Sequence, residues 1–156
     1  MRGMPEPETD EHRRRAEQAL ATIAAVWDAY EAGSPEFFDF FTADATVFSA
    51  SHPLRLEGRE AYRRYFGPYL PEQRRATQVL HPEVRLVGEG ALVTFHSRVR
   101  VQHSSVDNRA TLLLVPDGGR LKIAHMHMSP LNAPQGPGGA GLQEDVAVAW
   151  ILEEGS

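Results

Sequence analysis

The apolar residues of this chain change their spacing once, near residue 71, and that change limits what the chain can fold into. Before it, large apolar side chains recur at intervals of three and four, as on one face of a helix. Leu20, Ile23, Ala24, Trp27 and Tyr30 form one such stripe; Tyr62, Tyr65, Phe66 and Tyr69 form another. After it, apolar and polar residues alternate, as in half-buried strands. Helices followed by a meander of strands specify an α+β domain rather than a parallel α/β sheet. A chain of 156 residues suits one domain with a real core.

Local signals set the expected boundaries. Thr9 or Asp10 caps the first helix and Gly33 ends it. Ser34-Pro35-Glu36 restarts a short helix, packed by Phe37, Phe38, Phe40 and Phe41 and terminated by Asp44. Residues 46–48 read as a short strand, 49–56 as a loop, and 59–70 as a third helix closed by Pro71. Strands are expected around Val84 and Leu86, then over 91–102, 109–115 and 121–129, with Asp117-Gly118-Gly119 as a hairpin turn. Residues 130–141 are rich in proline and glycine and read as a linker. Beyond them, Val146, Trp150 and Ile151 are expected to dock rather than trail in water.

Charge and composition exclude several functions. A net charge of −5 disfavours binding to a phosphate backbone. The clusters Arg13-Arg14-Arg15, Arg63-Arg64 and Arg74-Arg75 are short and read as solvated helix faces. Cysteine is absent, so disulfides and thiolate chemistry are ruled out. No apolar run approaches the roughly 20 residues of a membrane span. The N-terminus lacks the apolar stretch of a signal peptide. A cytoplasmic protein without nucleic-acid or membrane partners is expected.

Three stretches carry a resemblance to a known family. TVFSASHPLRLEGREAYRRYF (46–66), HPEVRLVGEGALVTFHSRV (81–99) and IAHMHMS (123–129) resemble the association (hub) domain of calcium/calmodulin-dependent protein kinase II. That domain is a branch of the nuclear-transport-factor-2-like superfamily, which also contains SnoaL-like cyclases, ketosteroid isomerases and dehydratases. The likeness spans residues 24–130. It implies a cone of N-terminal helices packed on a strongly curved antiparallel sheet, an internal pocket, and a homo-oligomer (a dimer or larger ring). Residues 1–130 are therefore assigned to this domain, and 131–156 to the linker and docked segment. In the hub three arginines line the pocket. Arg98 and Arg109 match two of these positions, while Met128 stands at the third, and Tyr62 and Leu70 match the hub's histidine and tryptophan.

The remaining candidates come from the residues themselves. Arg98 and Arg109 become cross-strand neighbours if the turn between their strands centres on His103-Ser104. Paired cations invite an anion, a side-chain carboxylate or solvent between them. With Trp27, Tyr62 and Phe66 they form the expected ligand-binding set for a small carboxylate. His125 and His127 lie two apart and share a strand face, and His96 stands on a neighbouring strand. No cysteine or carboxylate supports a metal centre there, so neither metal nor cofactor is expected. Acid–base catalysis by His127, His125, His96 or Asp44 is the competing reading, and a bonded structural histidine is the third. Strict pairing across Gly118-Gly119 puts the histidines on the face opposite Arg109. A single bulge reverses that, and the sequence leaves both open.

Overall fold

The computed structural model describes residues 9–72 and 74–131. The element order is α1 (Asp10–Glu31), a 3-10 helix (Pro35–Phe40), β1 (Phe41–Phe48), β2 (Leu56–Glu57) and α2 (Arg59–Phe66). A 3-10 turn (Leu70–Glu72), β3 (Arg75–Val87), β4 (Gly90–Val101), β5 (Ser104–Asp117) and β6 (Arg120–Pro130) follow. The expected docking of residues 142–156 lies outside the described residues.

Thr9 Oγ1 accepts the His12 amide, and Ser34 Oγ accepts the Glu36 amide, so both helix starts are capped by a hydroxyl. Gly33, at φ +66°, turns the chain out of α1. Ala19, Ile23, Val26 and Trp27 form the buried face of α1, whereas Leu20 is 38% exposed on its flank. The C-terminal turn of α1 is pinned to β3: Glu31 accepts hydrogen bonds from the amide and hydroxyl of Thr77 at 2.5 and 2.6 Å.

The six strands form one sheet in the order β2-β1-β6-β5-β4-β3. The sheet is mixed, not purely antiparallel as expected, because β1 runs parallel to β6. β1 is also longer than expected: the 3-10 helix ends at Phe40 and the chain enters the strand directly. Asp44 therefore sits within β1, exposed and accepting a hydrogen bond from Thr42 Oγ1, instead of ending a helix. α2 stops at Phe66, short of the expected Leu70.

Helices and sheet enclose a core centred on Phe37, whose ring lies within 5.2–6.2 Å of Phe38, Phe41, Tyr62 and Phe66. Val93, Phe95, Leu112, Leu114, Ile123 and Met126 cover it from the sheet. These residues share the inner face. The outer face carries the alternate set, including Thr94, His96, Arg98, Asp107, Arg109 and Thr111.

Candidate functional site

Two registers decide which side chains meet. The first is the β4–β5 hairpin, whose turn is Gln102-His103 with Gln102 at φ +54°. The turn thus lies one residue earlier than expected, and every pairing shifts by two. Arg98 faces Asp107, and Arg109 faces His96. Arg98 closes a forked ion pair with Asp107 at 2.8 and 3.2 Å, so its charge is matched by its own neighbour. That contact holds its pKa above the usual guanidinium value.

The second register is the β5–β6 hairpin. Gly118 and Gly119 both take positive φ, the requirement of a tight two-residue turn. Pairing runs regularly to Leu114 opposite Ile123, then slips so that Leu113 faces His125. Ala124 is the extra residue of this bulge. Beyond it Met126 pairs with Leu112, Met128 with Ala110, and Arg109 with Ser129. Met126 and Met128 consequently point inward, and His125 and His127 point outward, on the same face as Arg109.

The inner face opens into a cavity of about 210 Å³ between sheet and helices. Trp27 and Tyr30 of α1 and Tyr62 and Phe66 of α2 form its aromatic wall. Val99, Val101 and Val106 line the hairpin side, and Met126 and Met128 the floor. Ser49 and Ser51 stand at its margin. Tyr62 stacks on Phe66 and Phe66 on Tyr30, at 5.7 and 6.0 Å.

Polar groups enter this wall at a few points. Asn108 lines the cavity at 4% exposure, and its Oδ1 has no hydrogen-bond partner. Ser97, its cross-strand partner on the same inner face, is 2% exposed and its Oγ is likewise unpartnered. Trp27 is 5% exposed with an unpartnered indole Nε1. Unpaired buried polar atoms each cost about 1–3 kcal/mol and are uncommon in native proteins. Trp27 and Asn108 line the cavity, and Ser97 lies beside Asn108 on the same face. Burial pushes both Tyr30 and Tyr62 up, so both phenols stay protonated and each has an O–H available to donate.

Of the expected ligand-binding residues, Trp27, Tyr62 and Phe66 line this cavity, while Arg98 and Arg109 lie on the other side of the sheet. None of His96, His125, His127 and Asp44 lines it. His125 Nδ1 bonds Thr46 Oγ1 at 2.6 Å across β1 and β6. Burial, then the neighbouring His127 and Arg55, hold the His125 imidazole below its usual pKa. No group of three metal-ligating side chains occurs among the described residues.

Arg75 went unnoticed in the sequence, where it read as half of a solvated pair. It is 9% exposed on β3 and donates to the carbonyls of Leu70 and Tyr69. Its guanidinium stacks on Tyr30 and Phe66 at 5.0 and 5.5 Å, behind the aromatic wall. Ser97 and Asn108 carried no chemical signature; only the register reveals them.

Residues 19–133 match the SnoaL-like domain family. No curated protein matches the sequence. Among solved structures, a CamKII hub homology domain from Chlamydomonas reinhardtii superposes with a TM-score of 0.65 and 22% identity, covering 75% of this chain and 98% of that one. An NTF2-like protein of unknown function from Pseudomonas putida superposes at 0.69 and 20% identity, covering 78% and 88%. The corresponding hub from S. rosetta does so at 0.64 and 19%, covering 74% and 95%. At these identities the likeness is one of fold.

Proposed function

The chain belongs to the SnoaL-like domain family, and from that premise we propose that it binds a small, largely apolar, uncharged molecule carrying one oxygen function. The site is the inner cavity. The observation that carries this reading is the pair of unpartnered atoms on cavity-lining residues, Trp27 Nε1 and Asn108 Oδ1, with Ser97 Oγ beside Asn108, in a mainly aromatic and aliphatic wall. Indole and phenol donors suit a carbonyl or hydroxyl oxygen, and the carboxamide of Asn108 can donate or accept. No lining residue is cationic, so a carboxylate would be desolvated there without a counter-charge. The expected carboxylate preference is therefore replaced by a neutral ligand in this cavity.

Binding is favoured over acid–base catalysis. The described lining contains no carboxylate or imidazole, and its two phenols are held protonated. The reading invokes no cofactor. Self-association is its second component, supported by the resemblance to association domains.

The test titrates small apolar alcohols and the matching carboxylic acids by calorimetry at neutral pH. Alcohols, whose hydroxyl can donate to Asn108 Oδ1, should bind, and the ionised acids should not. In Asn108→Leu the alcohol affinity should fall at least about tenfold, equivalent to one lost hydrogen bond of about 1.4 kcal/mol. The melting temperature should hold or rise, because the substitution removes an unpaired buried oxygen. Acids binding in preference, or equal alcohol affinity in the variant, would overturn the assignment.

A further inference from the structure

The outer face of the sheet holds a second concavity, larger than the inner one at about 600 Å³. It lies over β3, β4 and β5, where β3 departs from regular pairing between Leu80 and Glu83. His81, in that irregularity, takes φ +51°, a conformation strained for a β-carbon-bearing residue and retained mainly where the surroundings require it. It brings the His81 side chain to the rim of the concavity. His96 of β4 and Arg109 of β5 pair directly across the floor, and Thr94 and Thr111 form the next pair on the same face.

The charge pattern here differs from that two residues away. Arg98 is answered by Asp107 across the hairpin. Arg109 is answered by His96 on one side and Ser129 on the other, neither of them an acid. No ion pair neutralises Arg109 among the described residues. Glu83 is the acid at the rim, opposite Thr94 and not opposite Arg109. His127 approaches from β6, opposite Thr111.

We propose that this outer concavity is a site for a tetrahedral oxyanion, a phosphoryl group in chemical class, held by the fork of Arg109 with Thr94, Thr111 and His96. A guanidinium fork satisfies two oxygens. Hydroxyls and an imidazole N–H on the flanking positions reach a third, which a carboxylate does not have. Desolvation first, then the nearby His81 and Arg109, hold the His96 imidazole below its usual pKa in the free protein. A bound dianion reverses the field and draws a proton onto His96. Affinity therefore rises as pH falls, with Glu83 opposing it while ionised. The site shares no side-chain contact with Trp27, Ser97 or Asn108, so its failure would leave the cavity reading untouched.

The experiment is a sulfate titration of the full chain followed by amide NMR, since sulfate stays a dianion from pH 5.5 to 8. Saturable shifts should localise to residues 94, 96, 109 and 111, and binding should tighten several-fold at pH 5.5. Arg109→Gln should weaken sulfate at least tenfold. His96→Gln should weaken sulfate most at pH 5.5 and lose most of the pH dependence. At pH 8, where it too is a dianion, methyl phosphate should match sulfate, and acetate should bind far more weakly. Non-saturable shifts, unchanged affinity in Arg109→Gln, acetate as tight as sulfate, or pH-independent binding by the wild type would each overturn the proposal.

Discussion

Arg75 is a cation whose role is architectural. Its guanidinium satisfies the carbonyls of Tyr69 and Leu70, past the end of α2, and lies over two rings of the cavity wall. Lysine has the charge but neither the fork nor the plane. Arg75→Lys should therefore lose about 1.5–3 kcal/mol in denaturant unfolding, the scale of a charged hydrogen bond. A loss under about 0.5 kcal/mol, within the range of an ordinary surface change, would refute that role. The depressed histidines make a second statement at this scale. His96 and His125 are held below their usual value, so the unfolded chain takes up protons first. Stability is full above about pH 6.5, the unfolded value, and declines as pH falls through the lower folded values. His125→Gln should flatten part of that decline in melts between pH 8 and 5. An unchanged slope would show that His125 titrates as it does in the unfolded chain.

At the scale of elements, the helices were legible because capping and spacing are local. Thr9, Gly33 and Ser34-Pro35 act within their own turn of chain. Registers were not, because each depends on a turn or slip that leaves little trace in composition. The Gln102-His103 turn has no glycine to announce it, yet Gln102 occupies the left-handed region. Placing that turn one residue late paired Arg98 with Arg109 in place of Asp107. Gln102→Gly should relieve the strain and stabilise the hairpin by about 0.5–1 kcal/mol, read from chemical denaturation. Destabilisation would mean that the side chain itself holds the turn. Likewise Asn108 and Ser97 looked like ordinary strand residues, and their significance lies in what they fail to touch. The aromatic wall was visible because Trp27, Tyr62 and Phe66 follow helical spacing.

On the scale of the whole molecule, the resemblance implied a homo-oligomer. Val93, Phe95, Leu112 and Leu114 all lie inside, and the outer face carries arginine, histidine, threonine and aspartate beside the apolar pair Leu92 and Leu113. A two-fold contact through that face opposes like groups, histidine against histidine. Self-association there should weaken in acid as His96 and His125, both held below their usual pKa, take up charge. Sedimentation velocity at pH 8 and 5.5 measures this, and a mass that ignores pH would place any interface elsewhere. β6 ties these scales together through Ala124. On either side of the sheet the strand alternates two vocabularies, thioether (Met126, Met128) and imidazole (His125, His127), and the extra residue sets their parity. A cavity floored by methionine and one floored by bases differ here by a phase of one residue, with no change of composition. Without that extra residue the same strand would turn its imidazoles toward the cavity and its thioethers away from it.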